Sequence, residues 1–177
     1  RYDGILDQVA IYDRALTELE IKTHYYLARD YCNDCTEIDI MPLGDSLTKG
    51  STGAGEPESD KISYRCLLHQ LLETGGYNFE FVGSQVHGTT SGCDFDDYDH
   101  EGHGGWTADQ IRDNVVGFLN SNPADVVLLH IGTNDISGGQ SATNIAPEVE
   151  SILDNIDLVD EDIPVIVARI INRNGHL

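Results

Sequence analysis

From residue 37 onward, short apolar runs alternate with apolar stripes at helical spacing. Ile38-Asp39-Ile40-Met41-Pro42-Leu43 reads as a mostly apolar strand running straight into the turn Gly44-Asp45-Ser46-Leu47-Thr48. Tyr64, Leu67, Leu68, Leu71 and Leu72 predict a helix closed by Gly75-Gly76, and Phe79 to Gly83 a short second strand. Thr107 with Gln110 forms a candidate capping box for a second helix, with Ile111, Val115, Phe118 and Leu119 as its apolar positions and Asn122-Pro123 as its stop. Val126 to Ile131 is an apolar run broken only by His130, as in a strand covered on both faces. Ile145, Val149, Ile152, Ile156 and Val159 mark a third helix, and Pro164 to Ile171 a fourth strand. The alternation predicts an α/β domain over residues 37–177, a doubly wound parallel sheet with helices on both faces.

Residues 1–31 follow a different pattern. In the run Ile5 to Tyr12 both faces are mixed, so the strand rests on β-branched and aromatic content, and Thr17 with Glu20 opens a helical turn. One strand and one short helix cannot bury a core. Gly4-Ile5-Leu6-Asp7-Gln8-Val9-Ala10-Ile11-Tyr12, Arg14-Ala15-Leu16 and Glu20-Ile21 resemble the closing strand and helix of laminin-G-like, concanavalin-type jelly-roll modules. Residues 1–31 are therefore expected to be the tail of such a module. The alternative is an irregular extension packed on the next domain. Residues 32–36, Cys-Asn-Asp-Cys-Thr, are the expected linker.

Charge narrows the partners. The formal net charge of −21, from 31 acidic residues against 10 Lys plus Arg, argues against nucleic acid, whose backbone needs a basic footprint. It suits a soluble protein with neutral or cationic partners in a salty or extracellular setting. No window approaches the ~20 consecutive apolar residues of a membrane span. Cys32 and Cys35 have CxxC spacing, but Cys66 and Cys93 lie 27 residues apart without a second close pair. A zinc site is thus poorly supplied, and disulfides or free thiols remain open for the four cysteines. The acidic run Asp94, Asp96, Asp97, Asp99 and Glu101 lacks the spacing of a calcium loop and reads as a solvated loop. No cofactor or metal is expected.

Three points carry candidate chemistry. Ser46 follows the first strand, Gly105 precedes the second helix and Asn134 follows the strand at Val126. In a doubly wound sheet all three fall at the carboxyl ends of the strands, where such sheets bind ligands. A serine needs a base and the oxyanion needs donors. The Ser46 and Gly105 backbone N–H groups and the Asn134 amide could supply three. Each also has a plain reading: a cap, a tight turn, a strand-to-helix turn. Their joint occurrence, in order and on the right elements, favours the chemical one. His103 neighbours the site as a structural or substrate-lining residue, and His130 reads as a satisfied core histidine.

Gly44-Asp45-Ser46-Leu47, Gly104-Gly105-Trp106-Thr107 and Gly132-Thr133-Asn134-Asp135 resemble the first three blocks of the SGNH (GDSL) hydrolases, over roughly residues 37–171. Met41 to Ser46, Phe81-Val82-Gly83-Ser84 and His100 to Thr107 are most similar to the third family of carbohydrate esterases, associated with removing acetyl groups from xylan. The resemblance implies a flavodoxin-like sheet, Ser46 as nucleophile and Gly105 and Asn134 as oxyanion donors. It implies an acetylated polysaccharide or another small ester as substrate. SGNH enzymes take their base from a late Asp-x-x-His pair. Here His176 has Arg173 three residues before it and sits too early in the fold order. The expectation is a C-terminally incomplete hydrolase domain, a fragment of a longer secreted esterase with little activity alone. A lipase or lysophospholipase-type SGNH hydrolase, and a carbohydrate-binding protein with an inactive hydrolase domain, are the alternatives.

Overall fold

The computed structural model describes residues 37–51, 55–90, 92, 93 and 95–170. The expected jelly-roll tail (1–31), the linker (32–36) with Cys32 and Cys35, Asp94 and His176 lie outside the described residues.

Strand β1 (Ile38–Gly44) is the centre of the sheet and enters the short helix α1 (Ser46–Lys49) through Asp45. A 3-10 turn (Glu58–Asp60) leads to α2 (Arg65–Gly75), then β2 (Phe79–Phe81), β3 (Gln85–Val86) and β4 (Asp99–Gly102). Helix α3 (Ala108–Ser121), β5 (Val126–His130), α4 (Thr133–Ser137), α5 (Ala142–Asp157) and β6 (Val165–Val167) complete the described chain. β5 runs parallel along one edge of β1, from Ile40 opposite Val126 to Gly44 opposite His130, and β6 lies parallel beyond it. The other edge of β1 is shared. β2 pairs with its first half (Ile38 opposite Phe79), and β4 with its end (Gly44 opposite Gly102). The chain therefore winds away from β1 in both directions, and the end of β1 is the switch point where such sheets open a crevice.

The two sides of the sheet follow from strand alternation. Met41, Leu43, Val127 and Leu129 point into a core with Ile111, Val115 and Leu119 of α3 and Ile145, Ile152 and Ile156 of α5. Ile40, Phe81 and Phe95 form the opposite core with Leu68 and Leu72 of α2. The expected parallel sheet with helices on both faces is thus present, with two departures. Residues 84–102 contain β3 and β4, β3 antiparallel to β4, rather than a continuous loop. β4 reads Asp-His-Glu-Gly and buries His100 and Glu101, so an apolar alternation could not reveal it.

Helix α2 also departs from its apolar stripe. Leu67 and Leu71 are 62% and 60% exposed, while Arg65 and His69 are buried. The Arg65 guanidinium explains the rotation. It donates to the carbonyls of Thr48 (3.2 Å), Tyr98 (2.9 Å), Lys49 (3.3 Å), Lys61 (3.0 Å) and His87 (3.2 Å). Nε and Nη1 each serve one carbonyl, and Nη2 shares its two N–H groups among the other three. Burial holds its pKa down to about 10, still cationic at neutral pH. The next residue, Cys66, forms a disulfide with Cys93, Cα–Cα 6.1 Å, tying α2 to the segment before β4. No helix among the described residues is long and apolar enough to cross a membrane.

Candidate active site

The site is built from the end of β1. A Cβ on Gly44 would sit 2.2 Å from the His130 carbonyl oxygen and 2.7 Å from Thr48 Oγ1, so the close pairing of β1 with β5 demands glycine there. Asp45 is fully buried and caps α1, its Oδ1 accepting the Leu47 N–H at 2.8 Å. Burial raises its carboxyl above the usual range against the opposing pull of that N–H, and the neighbouring Asp135 adds to the rise. Ser46 is therefore the first helical residue after β1, half-buried, with its carbonyl accepting the Gly50 and Ser51 N–H groups at 2.9 Å. Arg65 holds the other end of α1 through the Thr48 and Lys49 carbonyls.

The segment after β4 crosses beside this turn. The His103 N–H donates to the Gly44 carbonyl at 2.8 Å, and the Trp106 N–H donates back to the His103 carbonyl at 3.2 Å. Gly104 and Gly105 lie inside that turn. Gly105 has φ +84°, yet a Cβ there would meet no protein atom within 4 Å. Glycine is thus set by backbone conformation, and its face stays open. Thr107 then opens α3, with Gln110 Oε1 accepting its N–H at 3.0 Å, as the capping-box pattern predicts. Asp135, buried, accepts the Ala108 N–H at 3.1 and 3.2 Å.

Asn134 joins the blocks. Its Nδ2 donates to the Trp106 carbonyl at 2.7 Å and lies 3.4 Å from Asp45 Oδ2. The first contact is a good hydrogen bond and the second a weak one. One amide, on α4, thereby ties the Gly105 turn to the Ser46 turn. Ser46, Gly105 and Asn134 lie on elements held together at one end of the sheet, as their sequence order implies.

The histidines fall out differently from one another. Asp97-Tyr98-Asp99-His100 spells an Asp-x-x-His spacing, but His100 is fully buried. Its Nδ1 accepts the Gly102 N–H at 2.8 Å, leaving Nε2–H to donate to His87 Nδ1 at 2.9 Å. His87 Nε2 in turn donates to Glu58 at 2.7 Å. Burial, with the charge of Arg65 second, pushes His100 down to about 2, so it carries structure and no proton transfer. His130 was expected to be a satisfied core histidine, yet among the described residues its buried Nε2 has no hydrogen-bond partner. His103 packs nearly parallel to Trp106 (centroids 4.1 Å, 20°) and to Phe118 (5.0 Å, 13°), which lie 6.1 Å from each other, and its Nε2 meets Glu101 at 2.6 Å. Among the described residues no histidine is hydrogen-bonded to Ser46.

The acidic run does not converge. Glu101 turns inward to Ser84 and His103, and Asp97 accepts the Phe81 N–H. Among the described residues the carboxylates close enough to share a cation are Glu37, Asp39 and Glu80, within 4.8 Å of one another, at the opposite end of β1.

With this geometry in place, the comparisons are decisive about family. Residues 43–176 match the GDSL-like lipase/acylhydrolase family. The chain belongs to this family. Among solved structures it is similar to a family 3 carbohydrate esterase of Clostridium thermocellum, with 39% identity over 75% of this chain and 61% of that one, TM-score 0.62. A family 3 carbohydrate esterase from Talaromyces cellulolyticus is 28% identical over 73% of this chain and 60% of that one, also with TM-score 0.62. A multidomain esterase of Ruminococcus flavefaciens is 33% identical over 122 residues, 58% of this chain and 15% of that protein. The chain thus spans about three fifths of the solved esterases and a small part of the multidomain one. The laminin-G-like resemblance of residues 1–31 has no counterpart in these matches.

Sequence reasoning named the three site blocks but not the side chains that brace them. Arg65 and Asp135 bond to the backbone of residues up to tens of positions away, which no local pattern encodes. Glu101 and His103 had a usable signal. In extended backbone, positions two apart share a face, so a Glu-x-His step running out of a strand can pair.

Proposed function

We propose that the protein removes acetyl groups from carbohydrate, with Ser46 as nucleophile and the Ser46 N–H, Gly105 N–H and Asn134 amide as oxyanion donors. The observation that carries this reading is the Asn134 amide, bonded to the Trp106 carbonyl and facing Asp45, which draws the Gly105 turn to the serine turn. Ser46 Oγ attacks the ester carbonyl while its proton passes to an imidazole base, which the family takes from a late Asp-x-x-His pair. The tetrahedral oxyanion is held by the three donors and collapses. The sugar hydroxyl leaves with the proton, and water repeats the sequence on the acetyl-enzyme to release acetate. The likeness to family 3 carbohydrate esterases supports an acetylated polysaccharide as substrate. The net charge of −21 speaks against a nucleic-acid partner. An extracellular location is proposed from the Cys66–Cys93 disulfide, which persists in oxidising compartments.

The test is hydrolysis by the full-length enzyme of aryl acetate, long-chain aryl esters and acetylated xylan. Acetate esters should be preferred, and Ser46→Ala should lower kcat/KM by ~10⁴-fold or more. Turnover surviving Ser46→Ala would sink the assignment of the nucleophile. A preference for long acyl chains would move the substrate to lipids.

A further inference from the structure

Glu101 is a fully buried carboxylate, and among the described residues it makes no ion pair with Lys or Arg. Its Oε2 accepts the Ser84 N–H at 2.7 Å, and its Oε1 accepts Ser84 Oγ at 2.7 Å and His103 Nε2–H at 2.6 Å. A carboxylate out of water persists only when its lone pairs are met by donors, and here three meet it. The imidazole at the other end has little freedom either, because it packs against both Trp106 and Phe118, which also touch each other. Its backbone opens and closes the turn that holds Gly105, through His103 N–H to Gly44 and Trp106 N–H to His103. The Trp106 carbonyl then receives Asn134. Ser84, Glu101, His103, the Gly105 turn and Asn134 therefore form one connected brace.

We infer that Glu101 and His103 are positioning residues. The buried carboxylate fixes the imidazole, and the imidazole fixes the turn that aims the Gly105 N–H at the developing oxyanion. Neither residue is assigned contact with the ester. This inference rests on the oxyanion-hole reading above. It goes beyond that reading by giving the Gly105 turn, whose outer face no protein atom supports, its source of rigidity. The consequence is specific. Donors aimed at an oxyanion act in the transition state and not on the bound ester, so loosening the brace should lower kcat and leave KM in place.

The experiment uses the full-length enzyme with aryl acetate. Glu101→Gln, isosteric but unable to accept at both oxygens, and His103→Leu should each lower kcat by ~10²-fold, the cost of a misplacement on the order of 1 Å, with KM within about twofold. His103→Gln, whose amide N–H reaches toward Glu101, should recover to within about tenfold of wild type, because it restores the donor. The affinity of a boronic acid that mimics the tetrahedral state should fall with kcat while acetate inhibition stays unchanged. Melting curves identify any variant that fails to fold, in which case His103→Gln, being polar and of similar size, decides. Variants within about threefold of wild type in kcat, or a rise in KM alone, would overturn the inference. Equal loss in His103→Gln and His103→Leu would overturn it too, by showing that the imidazole itself is required. These outcomes differ from failure of the underlying reading, which Ser46→Ala reports by itself.

Discussion

The two ends of β1 present the same residue type in opposite circumstances. At the carboxyl end Asp45 is fully buried and answered by donors, the Leu47 N–H at 2.8 Å and the Asn134 amide at 3.4 Å. At the amino end Asp39 faces its own kind. Its carboxyl is raised by partial burial and then by the charges of Asp125 and Glu37, and Glu80 lies within carboxylate contact. A cavity of about 690 Å³ opens there, lined by Glu37, Glu80, Asp96, Asp97 and Asp99 among others. Cavity size would direct attention to that end. The chemistry directs it to the other, because an ester's transition state is anionic and an acid-lined cavity repels it. The proposed catalytic end of the strand is chosen by its hydrogen-bond donors, not by volume.

The sharpest way to break the comparison is to remove a donor at one end and an acid at the other. Asn134→Ala should lower kcat by about 10² to 10³-fold, the usual loss for one oxyanion donor. It also unties the Trp106 carbonyl. Glu80→Gln at the acidic end should leave kcat within about twofold. If both variants change acetate-ester turnover alike, the division of β1 into a reactive and an inert end fails.

A smaller effect separates two glycines within the reactive end. Gly44→Ala forces a Cβ into the His130 carbonyl and Thr48 Oγ1, both part of the packed β1–β5 junction, and should cost about 1–3 kcal/mol or more of stability. Gly105→Ala meets no atom, so its cost is the left-handed backbone alone, about 1 kcal/mol. The ranking reverses for activity per folded molecule, because an added methyl at Gly105 intrudes on the open face where the oxyanion would sit. Chemical denaturation alongside initial rates separates the two.

That reversal bears on what the sequence could reveal. The Gly-Asp-Ser turn, the Gly-Gly-Trp-Thr turn and the Thr-Asn-Asp turn were legible because each requires particular residue types at a strand or helix boundary. The β1–α2, α3 and β5–α5 alternation was legible because apolar periodicity records burial. Three features were not. Arg65 occupies the buried face of α2, so the stripe pointed to Leu67 and Leu71, which are exposed. β4 buries His100 and Glu101, whose polarity masks a strand. His130 shows the limit from the other side. Its apolar neighbours imply a satisfied core position, whereas satisfaction depends on an acceptor that only the tertiary register supplies.

The smallest effect tests whether acids at the amino end are dispensable. Asp97 sits beside that cavity with its pKa pushed up to about 6, first by burial and against the Phe81 N–H it accepts. In the unfolded chain the group titrates near its ordinary value of about 3.9. Between those values the folded protein holds a proton the unfolded chain has lost, so stability rises as pH falls from about 6 toward 4 and is lost again as pH climbs back through 6. The shift bounds the effect at about 3 kcal/mol, and solvent access to the half-buried carboxyl reduces it. Asp97→Asn keeps an oxygen for the Phe81 N–H and removes the charge, so it should stabilise the protein by roughly 1 kcal/mol at pH 7 and flatten that part of the pH profile. Asp45→Asn should have the opposite sign, because its new amide would turn donors toward the Asn134 amide and leave the reactive end with one acceptor fewer. Denaturation midpoints of both variants at pH 4, 5.5 and 7 check this. Stabilisation by both would mean that Asp45 is as dispensable as the acids at the far end of its strand.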